Sequence, residues 1–283
     1  MQECGTQLQT VSHGTNRPQA FFLNLTFGMM LNSTILRINE VTKTFGGLVA
    51  LNKIDLSAES EKISMLIGPN GSGKTTLINC ISGFYKPDEG KIRYNGHDIT
   101  GLPPHSIYNL GLVRTFQIPQ PFKKLTVLEN LLTAYRNNPG EGFLTAPMNR
   151  SWKEVESQAT ETACKFLELL NLINLWDQPA SQLSGGQMKL VEAGRAIMSG
   201  AKMILMDEPA AGIFPKLAHE VFHYLTEMKK NLGISFLIVE HRIDLILPYI
   251  DYAFCMANGH IICEGPPLQV LQDEQVIDCY LGE

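Results

Sequence analysis

The sequence predicts an α/β fold whose mostly parallel sheet carries a phosphate-binding loop, together with a small antiparallel β region and a helical insert. Two observations lead to this prediction. The pattern G-x-x-x-x-G-K-S/T is matched by residues 68–76, directly after the apolar run at 63–67. A second apolar run, 203–206, is followed by Asp207 and Glu208, and such runs are typical of strands covered on both faces. We therefore expect both segments at the edge of one sheet where ligands bind.

Composition places the chain among globular proteins. Its 283 residues are 44% hydrophobic and 18% charged, which suffices for one large domain or two small ones with a substantial core. The net charge of -5 argues against a nucleic-acid partner, since nucleic-acid-binding domains are usually basic. The cysteines form no C-x-x-C pair, so we predict reduced thiols and no metal site built on Cys4, Cys80, Cys164, Cys255, Cys263 and Cys279.

Residues 1–33 are predicted to form a disordered N-terminal extension. The longest apolar stretch there, 20–31, is shorter than the roughly 20 residues that a membrane-spanning helix needs. The residues before it lack the basic region of a signal peptide. Met29 or Met30 is an alternative start of the natural chain, which a mass measurement of its N-terminus would test.

Short strands are predicted on both sides of the phosphate-binding loop. Residues 36–41 alternate apolar and polar side chains, as in a half-buried strand, and a turn at 45–47 leads into a second strand at 49–56. A third strand at 91–94 is closed by the hairpin sequence Asn-Gly at 95–96. We therefore expect an antiparallel β region beside the parallel sheet.

Helical patterns follow at about 118–182. Thr126 is expected to begin a helix, because Glu129 completes a capping box with it. We expect this helix to extend toward Arg136. Apolar residues at helical spacing predict a second helix at 152–170. These helices are predicted to form an insert between strands of the parallel sheet.

The alternation of strands and helices returns after the insert. Strands are predicted at 203–206, 235–239, 252–256 and 261–263, and a helix at 217–231 before Gly233. A Gly-Pro-Pro run at 265–267 ends the main domain, which we expect to span 34–265. The remaining residues, 266–283, are predicted to form a helical tail that consists of one amphipathic helix.

The loop at 68–76 is predicted to bind a nucleoside triphosphate and has the sequence Gly68-Pro69-Asn70-Gly71-Ser72-Gly73-Lys74-Thr75-Thr76. Its glycines permit backbone torsions that a side chain would forbid, so its amides can converge on phosphates at the positive end of the next helix. Lys74 adds a positive charge for the β- and γ-phosphates, and the Thr75 hydroxyl is a ligand for Mg²⁺. An ordinary glycine-rich turn is the alternative. The order of strand, loop, Lys-Thr pair and helix argues against it.

The two acids after the apolar run at 203–206 are predicted to complete the site. Asp207 would hold Mg²⁺ through water, and Glu208 would face the water that attacks the γ-phosphate. Two acids that merely begin a loop are the alternative, and the presence of a phosphate-binding loop in the same chain favours the functional interpretation.

The segment Leu183-Ser184-Gly185-Gly186-Gln187 predicts a second phosphate-binding helix start. Ser184 and Gln187 fit a capping box, and the two glycines allow a phosphate to approach the helix N-terminus closely. A simple capped helix is the alternative. One ATP does not need both helix starts from one subunit, so we hypothesise that two subunits meet head to tail and complete each other's sites.

These motifs together resemble the ATP-binding subunits of ATP-binding-cassette (ABC) transporters, over nearly all of residues 34–283. The resemblance implies a P-loop NTPase with the ABC ATPase fold, which has a RecA-like parallel sheet, an antiparallel β subdomain and a helical insert subdomain. It also implies hydrolysis of ATP to ADP and phosphate with Mg²⁺, coupled to transport across a membrane.

The resemblance assigns roles to three further residues. Phe45 matches the aromatic residue that stacks on adenine. Gln117 matches the glutamine that senses Mg²⁺ and the γ-phosphate and relays their presence to the membrane partner. His241 matches the histidine that contacts the γ-phosphate and orients the attacking water together with Glu208. Without the resemblance, each of the three has an ordinary structural interpretation, such as a satisfied, partly buried histidine.

Within the ABC family, the chain resembles importers of branched-chain amino acids in the stretches 114–117, 121–130, 207–212 and 239–242. The resemblance implies two transmembrane permease subunits, a second ATP-binding subunit that is identical or different, and a solute-binding protein that acts indirectly. It also implies a place at the cytoplasmic face of the membrane. The alternatives are a urea or amide importer, a lipopolysaccharide exporter, a non-transport ABC ATPase acting on DNA or the ribosome, and an inactive regulatory cassette.

Two residues depart from the family pattern. Phe214 stands where Asp or Asn is usual, which bears on communication between subunits. Gly194 lies inside the helix after the LSGGQ segment, where it costs about 1 kcal/mol relative to alanine.

Overall fold

The computed structural model describes residues 34–115, 119–136 and 149–281. The predicted extension at 1–33 and Gln117 lie outside these residues. No helix in the described ranges combines the length and the apolar character needed to cross a membrane.

The described ranges contain ten strands and nine α-helices. The strands are β1 (Thr34–Phe45), β2 (Leu48–Glu59), β3 (Ile63–Ile67), β4 (Glu89–Tyr94), β5 (His97–Asp98), β6 (Leu112–Arg114), β7 (Met203–Asp207), β8 (Ser235–Val239), β9 (Tyr252–Ala257) and β10 (His260–Gly265). The α-helices are α1 (Lys74–Ile81), α2 (Pro104–Asn109), α3 (Val127–Leu132), α4 (Asn149–Leu169), α5 (Gly185–Met198), α6 (Pro215–Leu232), α7 (Ile243–Ile246), α8 (Pro267–Gln272) and α9 (Glu274–Leu281).

The larger sheet has the strand order β10-β9-β3-β8-β7-β6. Its strands from β9 to β6 are parallel, and β10 pairs with β9 in the antiparallel direction. Every residue of β3 and β8 is buried, which fits their predominantly apolar sequences. Because β3, β7 and β8 are parallel neighbours, the segments that follow them lie at one edge of the sheet. These segments carry the phosphate-binding loop, Glu208 and His241.

The smaller sheet has the strand order β2-β1-β4-β5 and is antiparallel throughout. The predicted antiparallel β region is therefore present. Its buried side chains share a hydrophobic core with α1, formed in part by Leu36, Ile38, Leu51, Leu77 and Ile81. The helix that follows the phosphate-binding loop is thus packed against this sheet.

The helix that begins after Thr126 is shorter than predicted. It ends at Leu132, so the expectation that it extends toward Arg136 is wrong. Beyond Leu132, the amides of Ala134 and Tyr135 bond to carbonyls three residues back, at 3.0 and 3.1 Å. Hydrogen bonds to the third preceding residue are those of a 3₁₀ turn, so the α-helix has ended before these residues.

The C-terminal tail is two helices, not the single amphipathic helix that was predicted. Asp273 separates α8 from α9 with extended backbone angles, φ −68° and ψ 132°. Its carboxylate accepts a hydrogen bond from the Gln275 amide at 2.9 Å, so it caps the start of α9. A capping side chain in the middle of the apolar pattern therefore divides the tail.

The chain packs as two compact units. One comprises residues 120–200, with α3, α4 and α5, and the other comprises the remaining described residues. Within the first unit, a Cβ atom on Gly194 would lie 3.1 Å from Leu170 Cδ1 and 3.3 Å from Leu131 Cδ1. Glycine therefore allows α5 to pack closely against these leucines, which gives a physical reason for a residue that weakens the helix.

Candidate nucleotide-binding site

The phosphate-binding loop follows β3 and needs glycine at two positions. Gly68 has φ +147°, and a Cβ atom there would lie 2.0 Å from the carbonyl oxygen of Met256 in β9. Gly73 has φ +105°, and a Cβ atom there would lie 2.5 Å from the carbonyl oxygen of Ala50 in β2. No side chain fits at such distances, so only glycine lets the loop approach both strands.

The first turn of α1 presents backbone amides to the loop. Gly73 is its N-cap residue and makes no side-chain cap hydrogen bond. Asn70 and Gly71 are exposed at the tip of the loop, Thr75 is exposed, and Thr76 is half-buried. Amides at the positive end of a helix attract anions, so the geometry suits the phosphates that the sequence predicts here.

The side chain of Lys74 turns back over the loop. It is 5% exposed, and its Nζ donates to the carbonyl oxygens of Gly68 and Pro69, each at 2.7 Å. Ser72 Oγ lies 3.4 Å from the same nitrogen. The ammonium group thus lies inside the loop, where phosphates would offer it charged partners that bind more strongly than neutral carbonyls.

Asp207 ends β7 and is paired with Arg114, which ends β6. Arg114 Nη2 lies 3.3 Å from Asp207 Oδ2, while Nη1 donates to the side chains of Asn79 in α1 and Ser82 just after it. Burial lowers the pKa of the Arg114 guanidinium from its ordinary value, and the Asp207 carboxylate opposes that shift. The guanidinium therefore links the acid of β7 to the helix that begins in the phosphate-binding loop.

Glu208 and His241 lie side by side after β7 and β8. His241 Nε2 is 3.3 Å from Glu208 Oε1, and the two side chains are 38% and 27% exposed, respectively. Glu208 has φ +49°, a left-handed conformation that is uncommon outside glycine, and its amide donates to the Val239 carbonyl at 2.8 Å. The structure thus brings together the two side chains predicted to position water.

Glu240, which the sequence-based prediction did not include, connects these two loops. Its carboxylate is 2% exposed and accepts hydrogen bonds from the amides of Ala210 at 2.9 Å, His241 at 2.9 Å and Arg242 at 3.1 Å. It thereby joins the loop of Glu208 to the loop of His241. An acid directly after a buried strand was the only sequence signal for this role.

We expect Glu240→Gln to lower ATP turnover by at least about tenfold, because small misplacements of reacting groups are costly, while ATP still binds. Glutamate offers two oxygens to the three backbone N–H donors, whereas glutamine offers one. The NH₂ group of glutamine would face a backbone N–H group, and neither can accept a hydrogen bond. Steady-state ATPase assays and binding of a fluorescent ATP analogue measure the two quantities. Glu220→Gln, an exposed change of the same kind in α6, is the control. Equal turnover in both variants would contradict the role of Glu240.

The LSGGQ segment, the second predicted helix start, contains the expected capping box. The Gln187 amide donates to Ser184 Oγ at 3.3 Å, and the Ser184 amide donates to Gln187 Oε1 at 2.9 Å. Ser184 is exposed, Gly185 is half-buried and Gly186 is buried. The local structure of the LSGGQ segment is therefore confirmed, and its action on the ATP of a second subunit remains a prediction.

Phe45 lies at the end of β1, beside the turn into β2. Its ring is 42% exposed and contacts Tyr85 edge to face, with ring centroids 5.2 Å apart. Lys43 Nζ lies 5.4 Å from the centroid of the same ring. A partly exposed aromatic ring suits stacking on a planar base, and this role for Phe45 also remains a prediction.

Two family models and several curated relatives match the chain. Residues 51–211 match a model described as ABC transporter, and residues 260–283 match one described as branched-chain amino acid ATP-binding cassette transporter. The probable branched-chain amino acid transport ATP-binding protein LivG of Archaeoglobus fulgidus is 50% identical over 248 residues, which cover 88% of this chain and 95% of the relative. The protein of the same description from Methanocaldococcus jannaschii is 49% identical over 253 residues, with coverage of 88% and 98%.

Solved structures share the fold. A nucleotide-free ATP-binding cassette from an ABC transporter has a TM-score of 0.75 and 48% identity, and the match covers 88% of this chain and 100% of that one. A cassette in its ADP conformation has a TM-score of 0.76 and 47% identity, with coverage of 88% and 99%. The predicted ABC ATPase fold is therefore confirmed. The chain belongs to the ATP-binding subunits of the ABC transporter family.

Proposed function

We propose that this chain hydrolyses ATP to drive the import of branched-chain amino acids through a membrane complex. The match of residues 260–283 to the branched-chain amino acid cassette model carries this proposal. The names of the relatives at 50% and 49% identity, which both refer to branched-chain amino acid transport, support it.

ATP is assigned to the loop at 68–76. The amides of the loop and of the first turn of α1 would bind the phosphates, and Phe45 would stack on adenine. Lys74 would leave the carbonyls of Gly68 and Pro69 to contact the β- and γ-phosphates. The N-terminus of α1 and the buried ammonium group support this assignment.

Mg²⁺ fits the oxygen donors beside the loop. The Thr75 hydroxyl and the Asp207 carboxylate would hold it, and Mg²⁺ prefers such oxygen ligands. The resemblance adds Gln117, which lies outside the described residues. The described residues contain no group of three or more His, Cys, Asp or Glu side chains placed to hold a metal, so phosphate oxygens and water would complete its ligands. When bound, the ion neutralises negative charge on the phosphates.

Glu208 is the proposed general base. It would take a proton from a water molecule whose oxygen attacks the γ-phosphorus. The bond from that phosphorus to the β–γ bridging oxygen breaks, and ADP leaves. His241, 3.3 Å from the Glu208 carboxylate, would contact the γ-phosphate and orient the water. Glu240 holds both loops through their backbone amides.

In this proposal, two ATP-binding subunits complete each other's sites. The start of α5 in one subunit, with Ser184, Gly185 and Gly186, would face the ATP held by the loop of the other subunit. The exposed Ser184 and the glycines that follow it support this arrangement. Closing on ATP and reopening after hydrolysis would then drive the transport cycle. Phe214 is 84% exposed at the N-cap of α6, and the resemblance assigns this segment to communication between subunits.

As an ATP-binding subunit of an ABC transporter, the chain works with membrane subunits. We propose two transmembrane permeases as its direct membrane partners and a solute-binding protein as an indirect one. The second ATP-binding subunit is either a copy of this chain or a different cassette. These partners would hold the chain at the cytoplasmic face of the membrane.

Reconstitution of transport tests the proposed function. The chain would be produced with candidate permease and cassette subunits from the same organism, and the complex would be placed in liposomes with the solute-binding protein outside and ATP inside. We expect uptake of labelled leucine that requires ATP. The same complex with Glu208→Gln is the control and should assemble without transporting. Uptake of urea instead of leucine, or ATPase activity that the permeases leave unchanged, would contradict the proposal.

A further inference from the structure

Three groups lie against the phosphate-binding loop: one from β9, one from the turn between β9 and β10, and one from α9. The Gly68 amide donates a hydrogen bond to the Tyr280 hydroxyl in α9, at 2.8 Å. The Gly259 amide, in the turn from β9 to β10, donates to the Ser72 carbonyl at 3.0 Å. The Met256 carbonyl in β9 lies where a side chain on Gly68 would be. The loop that would hold the phosphates of ATP is therefore supported by the last part of the chain.

Both backbone polar groups of Gly68 have partners. Its N–H group is bound to Tyr280, and its carbonyl accepts a hydrogen bond from Lys74 Nζ at 2.7 Å. Under the proposed function, Lys74 turns to the phosphates when ATP binds, so the carbonyl loses this partner. The bond to Tyr280 does not involve Lys74, so movement of Lys74 would not by itself break it. The hydroxyl would therefore be able to orient Gly68 both with and without nucleotide.

The packing of the tail determines where the Tyr280 hydroxyl lies. Val276 in α9 is 2% exposed and Val270 in α8 is 0% exposed, so buried apolar side chains anchor both helices. The Asp273 carboxylate also caps the start of α9 through the Gln275 amide. These contacts hold α9 in place, and with it the Tyr280 hydroxyl.

We propose that Tyr280 is a positioning residue for nucleotide binding. Its hydroxyl holds the Gly68 amide, and with it the turn from β3 into the loop, in the orientation that directs the following amides toward the phosphates. The proposal rests on the assignment of ATP to this loop. Tyr280 acts through the backbone and not on the reacting atoms, so its effect belongs to binding rather than to the chemical step.

The full-length Tyr280→Phe variant tests the proposal, because it removes one hydroxyl and keeps the ring. Tyr94→Phe is the matched control, since Tyr94 Oη donates to the Gly111 carbonyl at 3.0 Å, outside the loop. Hydrogen exchange of the Gly68 amide, followed by NMR, reports the contact itself. Binding of a fluorescent ATP analogue reports its consequence, and ATPase kinetics separate KM from kcat.

We expect Tyr280→Phe to speed exchange at Gly68 by about tenfold and to weaken binding of the ATP analogue by about three- to tenfold, the effect of one lost hydrogen bond. KM for ATP should rise with kcat unchanged, as for lost binding that is equal in the ground and transition states. Tyr94→Phe should leave exchange at Gly68 and binding of the analogue as in the unmodified chain.

The proposal is wrong if either exchange at Gly68 or affinity for the analogue is the same in Tyr280→Phe as in Tyr94→Phe. A lower kcat at unchanged KM would equally contradict it, because the hydroxyl would then act on the chemical step. Failure of leucine uptake with normal binding of the analogue would contradict the proposed transport function and leave the role of Tyr280 intact. An unmodified chain that does not bind the analogue would overturn both.

Discussion

Glu208→Gln should lower ATP turnover by at least about a hundredfold, the effect of losing a general base, while ATP still binds. Glutamine keeps an oxygen near His241 Nε2, now 3.3 Å from the carboxylate, but it cannot accept the proton of the attacking water. Its size suits the left-handed backbone at φ +49° as well as glutamate does. ATPase assays and binding of a fluorescent ATP analogue measure the two effects. Undiminished turnover would remove Glu208 from the role of base.

The same variant should trap the closed pair of subunits when ATP and Mg²⁺ are present. Size-exclusion chromatography with light scattering would then show a dimer, formed with itself or with the partner cassette. The control is a double variant that carries Ser184→Asp in addition to Glu208→Gln. Aspartate caps a helix about as well as serine, so the helix should still form. Its negative charge would, however, repel the triphosphate of the second subunit. The double variant should stay monomeric with an unchanged melting temperature. If it dimerises as well as Glu208→Gln alone, the start of α5 does not face the ATP of a second subunit.

Gly68→Ala should weaken ATP binding by at least about a hundredfold, because the loop must leave the conformation in which its amides converge on phosphate. The new Cβ atom would lie 2.0 Å from the Met256 carbonyl oxygen. That oxygen belongs to β9, a strand held between two neighbours, so the loop must move and not the strand. Titration with a fluorescent ATP analogue measures the loss.

Gly96→Ala is the matched control for this substitution. Gly96 also has a positive φ, +80°, and a Cβ atom there would meet no described atom within 4 Å. Gly96→Ala should therefore lower the free energy of unfolding by about 1–2 kcal/mol, because alanine disfavours the left-handed conformation. It should leave ATP affinity unchanged. Equal ATP affinity in Gly68→Ala and the unmodified chain would show that the contact with β9 does not shape the loop.

Those parts of the fold that depend on neighbouring residues could be predicted from the sequence. The apolar runs of β3, β7 and β8 mark strands buried on both faces, and the capping boxes at Thr126 and Ser184 use partners three residues away. The cap at Asp273 is equally local, and its capping side chain was a usable sign that the tail divides there.

The contacts that support the site could not be predicted in this way. Arg114 and Asp207 are 93 residues apart, Glu240 and Ala210 are 30 apart, and Gly68 and Tyr280 are 212 apart. No periodic pattern or turn preference relates residues at such separations, because only the folded sheet brings them together. Motifs therefore allow the residues of the expected chemistry to be proposed, but they do not reveal the residues that hold those side chains in place.

The position of Lys74 has a consequence for which ligands this loop accepts. Its ammonium group already has two carbonyl partners at 2.7 Å, so a ligand gains from this side chain only by offering oxygens that are better acceptors. An anionic phosphate oxygen attracts the ammonium group more strongly than a neutral carbonyl oxygen does, because both partners then carry a charge. Adenosine or AMP would place no such oxygen at the β and γ positions and would leave the ammonium where it is. Under the proposed function, the position of Lys74 would therefore favour di- and triphosphates before any contact with the base is made.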